Sequence, residues 1–75
     1  MRELVEYVAK ALADEPDEVR VEERPGAAAF LVLTVAPDDL GRMIGRQGRT
    51  AKALRTLVSA RASLEGRTAT LEIRD

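Results

Sequence analysis

The sequence predicts an α+β fold in which a three-stranded mixed sheet carries its helices on one face. Apolar residues recur at helical spacing in residues 4–12 and again in 49–64, and apolar and polar residues alternate at both 19–22 and 69–74. The order of elements is αββααβ. Because two helices separate the second strand from the third, a right-handed crossover makes these two strands parallel, with the second strand in the centre of the sheet.

The first half of the chain predicts one helix and one hairpin. The helical pattern of residues 4–12 ends at Asp14-Glu15-Pro16. The alternation at 19–22 is typical of a half-buried strand. Pro25-Gly26 is a turn signal, and Ala27–Ala36 after it is apolar and rich in strand-forming residues. We therefore expect the first two strands to pair as an antiparallel hairpin.

The second half predicts two helices and a last strand. Pro37-Asp38-Asp39 opens a short helix with Asp38 as its N-cap. Gly45-Arg46-Gln47-Gly48 ends that helix, and a longer one runs from about Arg49 to Leu64 with Gly66 as its C′ residue. The alternation at 69–74 forms the third strand.

Composition excludes several classes of function. The chain has 75 residues, 12 basic and 13 acidic side chains, no cysteine and no histidine. It therefore lacks thiolate nucleophiles, imidazole bases and the usual zinc ligands. We expect a single domain over residues 1–75, and, because neither a signal peptide nor an apolar run of membrane-spanning length is present, a cytoplasmic location.

Charge is distributed very unevenly along the chain. Residues 1–39 hold 4 basic and 10 acidic side chains, a balance of −6. Residues 40–64 hold 6 basic and no acidic side chains, a balance of +6. The basic residues of this segment are Arg42, Arg46, Arg49, Lys52, Arg55 and Arg61. Such polarisation indicates an anionic partner, which the near-zero net charge of the whole chain conceals.

The loop Gly45-Arg46-Gln47-Gly48 lies inside this acid-free segment, between two predicted helices. Its glycines permit positive φ and a close approach of a phosphodiester backbone. The N-terminus of the next helix directs N–H groups to the same place, where Arg46, Arg49 and Lys52 add full charges. Two spaced glycines alone are more often a C-cap and a tight turn among solvated arginines. The helical and basic context favours an anion-binding loop.

At these residues the sequence resembles the KH domain family. The family pattern of an aliphatic residue, G-x-x-G and two further apolar positions corresponds to Ile44, Gly45, Gly48, Ala51 and Leu54. The resemblance covers essentially the whole chain and implies a type II KH fold whose loop clamps about four single-stranded nucleotides of RNA. Ala51 is smaller than the aliphatic residue common at that position, so we expect a shallower base-contacting groove.

The resemblance and the charge pattern together predict an RNA-binding protein. The predicted RNA-binding residues are Arg42, Ile44, Gly45, Arg46, Gln47, Gly48, Arg49, Lys52 and Arg55. Tyr7 and Phe30 are the only aromatic residues, which excludes a base-stacking platform. Leu54 also fits an ordinary core position. We expect modest affinity and low sequence specificity, as in an RNA chaperone or post-transcriptional regulator.

The long helix carries a second apolar stripe. Ala51, Leu54, Val58 and Ala62 share one side of it. The second stripe, about 140° away, comprises Ala53, Leu57, Ala60 and Leu64. Either the N-terminal helix covers the second stripe, or the stripe is a partner surface centred on Leu57. The resemblance implies a homodimer or a heterodimer with another KH protein, and an alternative function as a protein–protein interaction module.

An enzyme is the competing class, and the sequence disfavours it. Its adjacent acidic residues do not face one another on a helix or strand, and no nucleophile–base constellation can be assembled. The glycine loop matches neither the Walker A pattern nor the dinucleotide-binding pattern. We therefore expect no catalytic residues, cofactor, metal site, small-molecule substrate or membrane partner.

Overall fold

The computed structural model describes all residues, 1–75, and confirms the predicted order of elements. The helices are α1 (Arg2–Leu12), α2 (Leu40–Ile44) and α3 (Arg49–Leu64), and the strands are β1 (Arg20–Arg24), β2 (Ala28–Thr34) and β3 (Thr68–Arg74). Short 3₁₀ turns at Pro16–Glu18, Pro37–Asp39 and Arg46–Gly48 precede β1, α2 and α3. None of the helices combines the length and the apolarity needed to cross a membrane.

The sheet has the predicted mixed topology, with β2 between β1 and β3. β1 runs antiparallel to β2, and β3 runs parallel to it. Leu31 of β2 is opposite Glu23 on one side and Leu71 on the other. The α2–α3 connection supplies the crossover that two parallel neighbours require.

The core lies between one face of the sheet and the helices. Alternate residues of β2, such as Leu31 and Leu33, are completely buried, whereas Phe30 and Val32 on the opposite face are only half-buried. The period of two in a strand produces this division. The core cluster comprises Val5, Ala9, Val19, Ala29, Leu31, Leu33, Val35, Met43, Leu54, Val58 and Leu71. The prediction of helices on one face only is confirmed.

α3 buries one of its two apolar stripes and exposes the other. The four residues Ala51, Leu54, Val58 and Ala62 are its buried residues. In the second stripe, Leu57 is 39% exposed and Leu64 is 84% exposed. α1 packs against β1, β2 and α2. The alternative in which the N-terminal helix covers the second stripe is therefore wrong.

The predicted N-cap of the short helix is also wrong. Residues Pro37–Asp39 form a 3₁₀ turn, α2 begins only at Leu40, and no side chain caps it. Asp38 is exposed, while Asp39 is 1% exposed. The 3₁₀ turn moves the start of the α-helix two residues beyond Asp38 and turns the carboxylate of Asp39 inward.

Candidate nucleic-acid interface

The loop between α2 and α3 has the backbone conformation that its glycines were expected to permit. Gly45 has φ 78° and ψ 168°, a region that is essentially restricted to glycine. Gln47 (φ 57°) and Gly48 (φ 72°) are both left-handed, and α3 begins at the next residue. The Gly45 N–H donates to Gly41 O at 2.8 Å, and the Gly48 N–H donates to Gly45 O at 3.0 Å. These bonds hold the turn at the N-terminus of α3.

The loop displays uncompensated positive charge. Arg46, Arg49, Lys52 and Arg55 are all exposed, and none of them forms an ion pair with a carboxylate. Arg49 Nη2 instead donates to Gln47 Oε1 at 3.1 Å, which joins the loop to the first turn of α3. The partial positive charge of the helix N-terminus adds to these four charges. The arrangement is suited to binding a polyanion.

Arg55 extends the positive surface from the loop toward the edge of the sheet. Its Nε donates to the carbonyl oxygen of Leu71 at 3.2 Å, so the side chain bridges α3 and the edge strand β3. A shallow depression on the same side of α3 lies between Lys52 and Arg55 at one end and Ser59 at the other. Basic side chains therefore line about two turns of α3 after the loop.

Arg42 differs from the other predicted RNA-binding cations. Its Nη2 lies 2.8 Å from Asp14 Oδ2, and its Nε lies 3.8 Å from Asp39 Oδ1. Arg61 is likewise paired, with Glu65 at 3.1 Å. Of the six positive charges in the acid-free segment, the structure leaves four without an acidic partner and neutralises two through acidic residues outside that segment.

The apolar part of the loop region is small. Ile44, the last residue of α2, is 36% exposed beside Gly45. Met43 and Leu54 are buried, which confirms the core assignment of Leu54. Ala51 is also buried, so its small side chain packs in the interior and does not line an open groove, contrary to the expectation of a shallower groove. Ile44 is therefore the exposed apolar side chain among the predicted RNA-binding residues.

The aromatic residues form no base-stacking platform. Arg24 Cζ lies 5.5 Å from the centre of the Phe30 ring, on the sheet face opposite the helices. The charges around that ring, which include Glu22, Glu72 and Arg74, have mixed sign. Tyr7 is exposed on α1. The two rings are thus on different elements, and neither lies in the acid-free segment.

Sequence reasoning missed the buried carboxylate of Asp39. Its Oδ1 and Oδ2 accept the backbone N–H groups of Asp14 and Glu15, each at 3.0 Å. These two hydrogen bonds, with a smaller contribution from the Arg42 charge, lower the pKa of Asp39 against the opposing effect of burial. Asp38 and Asp39 are indistinguishable as sequence signals, because the two backbone N–H groups that bind the Asp39 carboxylate lie 24 and 25 residues away from it.

The comparisons with known proteins agree with one another. The family model of the KhpA/KhpB KH domain matches residues 2–73. The RNA-binding protein KhpA of Halalkalibacterium halodurans is 51% identical over 76 residues, which cover the whole of both chains. The RNA-binding protein KhpA of Clostridium perfringens is 47% identical over 74 residues, covering 97% of this chain and 99% of that protein. The prediction of a non-enzymatic protein agrees with these relatives, which are named as binding proteins.

Solved structures share the fold at lower sequence identity. The crystal structure of Era in complex with MgGDPNP and nucleotides 1506–1542 of 16S ribosomal RNA superimposes with a TM-score of 0.67 at 23% identity, covering 97% of this chain and 28% of that one. A crystal structure of Aquifex aeolicus Era bound to GDP and AlF4⁻ gives a TM-score of 0.62 at 22% identity, with 97% and 29% covered. The family match and the full-length relatives confirm the resemblance: the chain belongs to the KhpA/KhpB family of KH-domain proteins.

Proposed function

We propose that this protein binds single-stranded RNA by clamping its backbone against the loop Gly45–Gly48 and the N-terminus of α3. The observation that carries the proposal is the group of four unpaired cations around a glycine-lined turn at a helix N-terminus. Arg46, Arg49 and Lys52 supply the charge nearest the turn, and Arg55 continues it. The full-length relatives, which are named as RNA-binding proteins, support the same function.

The chemistry of the surface favours contacts to phosphates over recognition of bases. Phosphate oxygens are bound by backbone N–H groups, guanidinium groups and an ammonium group, whatever the sequence of the RNA. No aromatic ring is available in the acid-free segment to stack on a base. We therefore expect low sequence specificity. The proposed role is that of a cytoplasmic RNA chaperone or post-transcriptional regulator.

Salt dependence provides the first test. Fluorescence anisotropy with a short single-stranded RNA measures the affinity of the wild type and of Arg46→Asp/Gln47→Asp across a salt series. Each neutralised phosphate of a single strand contributes a slope of about −0.7 in log K against log salt, so four contacts give about −3. The variant places two carboxylates in the clamp, on exposed side chains, and we expect it to lose binding while remaining folded.

A control with the same charge change separates the loop from net charge. Arg61→Asp/Ser63→Asp also alters the charge by −3, at exposed positions at the far end of α3. Arg61 lies about 18 Å along the helix axis from Arg49, at 1.5 Å for each of 12 residues. We expect this control to retain most of the RNA affinity. Equal weakening by both variants, or unchanged binding by the loop variant, would contradict a clamp at Gly45–Gly48.

The exposed second stripe of α3 favours a second function, the pairing of KH domains. Soluble proteins rarely leave a row of apolar side chains along a helix facing solvent unless a partner covers it. The stripe comprises Ala53, Leu57, Ala60 and Leu64, all exposed. We propose this face as the surface for a homodimer, or for a heterodimer with another KH protein.

Leu57→Glu tests the pairing surface. Leu57 is at the centre of the stripe, outside the core cluster, so the substitution should leave the fold intact. Sedimentation equilibrium should report a dimer for the wild type and a folded monomer for the variant. A dimer of unchanged mass in the variant would reject this surface. A monomeric wild type would exclude the homodimer. The heterodimer would then be tested by mixing the protein with another KH protein and measuring the mass of the complex.

A further inference from the structure

We propose that Asp14 limits the RNA affinity of this protein by pairing with Arg42 and withholding that side chain from phosphate. The inference rests on the proposed RNA-binding function and adds a residue to it that lies outside the acid-free segment. Among the five cations predicted to contact RNA, Arg42 is the one with acidic partners.

The pairing is close and specific. Arg42 Nη2 donates to Asp14 Oδ2 at 2.8 Å, the short distance of a charge-assisted hydrogen bond. The two residues are 28 positions apart, so the tertiary structure brings them together. Arg42 lies in α2, three residues before the first glycine of the loop. An unpaired Arg42 would therefore carry its charge at the entrance to the proposed clamp.

A buried anchor holds Asp14 in place. The Asp39 carboxylate accepts the backbone N–H groups of Asp14 and Glu15, and this fixes the segment after α1 against the start of α2. Asp39 is fully satisfied by these bonds and by the nearby Arg42 guanidinium. Since the backbone of Asp14 is already ordered, pairing with Arg42 requires little additional loss of conformational freedom.

The pair is nevertheless open to competition. The side chains of Arg42 and Asp14 are 51% and 73% exposed, and exposed ion pairs contribute little to stability. A phosphate of RNA can therefore displace the Asp14 carboxylate, at the cost of that interaction. Asp14 thus acts as an internal competitor that lowers affinity without blocking the loop, which matches the modest affinity expected of this surface.

A double-mutant cycle tests the inference. Asp14→Asn removes the negative charge and retains the backbone N–H that Asp39 binds. The matched control is Asp17→Asn, which makes the same charge change at an exposed residue without an ion pair. Both are measured with the same short single-stranded RNA, in the wild type and in an Arg42→Gln background. Thermal unfolding of every variant confirms that it is folded.

We expect Asp14→Asn to raise RNA affinity by about two- to fivefold at about 50 mM salt, more than Asp17→Asn does. In the Arg42→Gln background the two substitutions should have equal effects, because the withheld charge is absent. If Asp14→Asn and Asp17→Asn raise the affinity equally in the wild type as well as in the Arg42→Gln background, Asp14 acts only through net charge and the inference is overturned. A loss of affinity in Asp14→Asn would overturn it too, since the ion pair would then be orienting Arg42 toward RNA.

The outcome also separates this inference from the proposed function. If wild-type protein binds RNA and loses binding with Arg46→Asp/Gln47→Asp, but the cycle shows no coupling between positions 14 and 42, only the inference fails. If the wild type binds no RNA at low salt, the proposed function fails and the inference fails with it.

Discussion

Thr50 occupies the space that a side chain on Gly45 would need, across the loop between α2 and α3. A Cβ atom added to Gly45 would lie 2.8 Å from both the Cβ and the backbone nitrogen of Thr50. A Cβ atom added to Gly48 would meet nothing within 4 Å. The two glycines of the G-x-x-G pattern are therefore required for different reasons: Gly45 for space and conformation, and Gly48 for conformation alone.

The first prediction compares the two glycines. Gly45→Ala should lower the free energy of unfolding by about 2–4 kcal/mol, because its φ/ψ region excludes other residues and Thr50 occupies the space. Gly48→Asn should cost about 1 kcal/mol or less, because asparagine tolerates the left-handed conformation. Urea unfolding measures both. Thr50→Ala should not rescue Gly45→Ala, since part of the clash is with the backbone nitrogen. Similar losses for both glycines would contradict this account.

The second prediction concerns the strained Gln47. It is the one non-glycine residue with positive φ, in a left-handed conformation that costs an ordinary L-residue about 1–2 kcal/mol. Gln47→Gly should therefore leave stability unchanged or raise it by up to about 1 kcal/mol. Arg46→Gly is the control in the same loop, at a residue without positive φ, and should cost about 0.5–1 kcal/mol. Urea unfolding, with equal m-values for all variants, tests whether Gln47→Gly is at least as stable as the wild type while Arg46→Gly is less stable.

The third prediction concerns pH. The folded-state pKa of Asp39 is lowered, chiefly by the backbone N–H groups of Asp14 and Glu15. Its contribution to stability is therefore present above the unfolded-state value of about 3.9 and is lost as the pH falls through the lower folded-state value. We expect Asp39→Asn to be less stable than the wild type at pH 7 and to lose less stability on acidification.

Asp38→Asn is the matched control for the loss of a carboxylate, because Asp38 is exposed and its carboxylate accepts no hydrogen bond. At pH 7 its free energy of unfolding should differ from that of the wild type by no more than about 0.5 kcal/mol. If the free energy of unfolding of Asp39→Asn runs parallel to that of the wild type as the pH falls, protonation of the Asp39 carboxylate is not linked to unfolding.

The fourth prediction distinguishes the two sides of α3. Ala51 is buried and Ala53 is exposed, so the same substitution has different consequences two residues apart. Ala51→Leu should overpack the interior and cost about 1–3 kcal/mol. Ala53→Leu should change stability by no more than about 0.5 kcal/mol. Thermal unfolding under identical conditions measures both, and a large loss for Ala53→Leu would mean that the second stripe is packed within the monomer.

Most of the fold follows from local sequence patterns, which were sufficient to predict the helices and the strands. The periodicities of 3.6 and 2 identify helices and strands because they reflect which side chains share a face. The boundaries of α3 at Arg49 and Leu64 agree with prediction because glycines flank that helix on both sides. The loop glycines were identifiable for the same local reason, since positive φ is a property of single residues.

Other features depend on residues that are distant in sequence. Whether Asp38 or Asp39 faces inward, and whether α1 covers Leu57, could not be read from the neighbouring residues. The pairing of Arg42 with Asp14 crosses 28 positions and separates this cation from the four that stay unpaired. The sequence by itself determined the elements, the sheet order and the position of the basic loop. Only the tertiary structure decided which charges remain free to bind a ligand, because ion pairing depends on distances in space that no local pattern encodes.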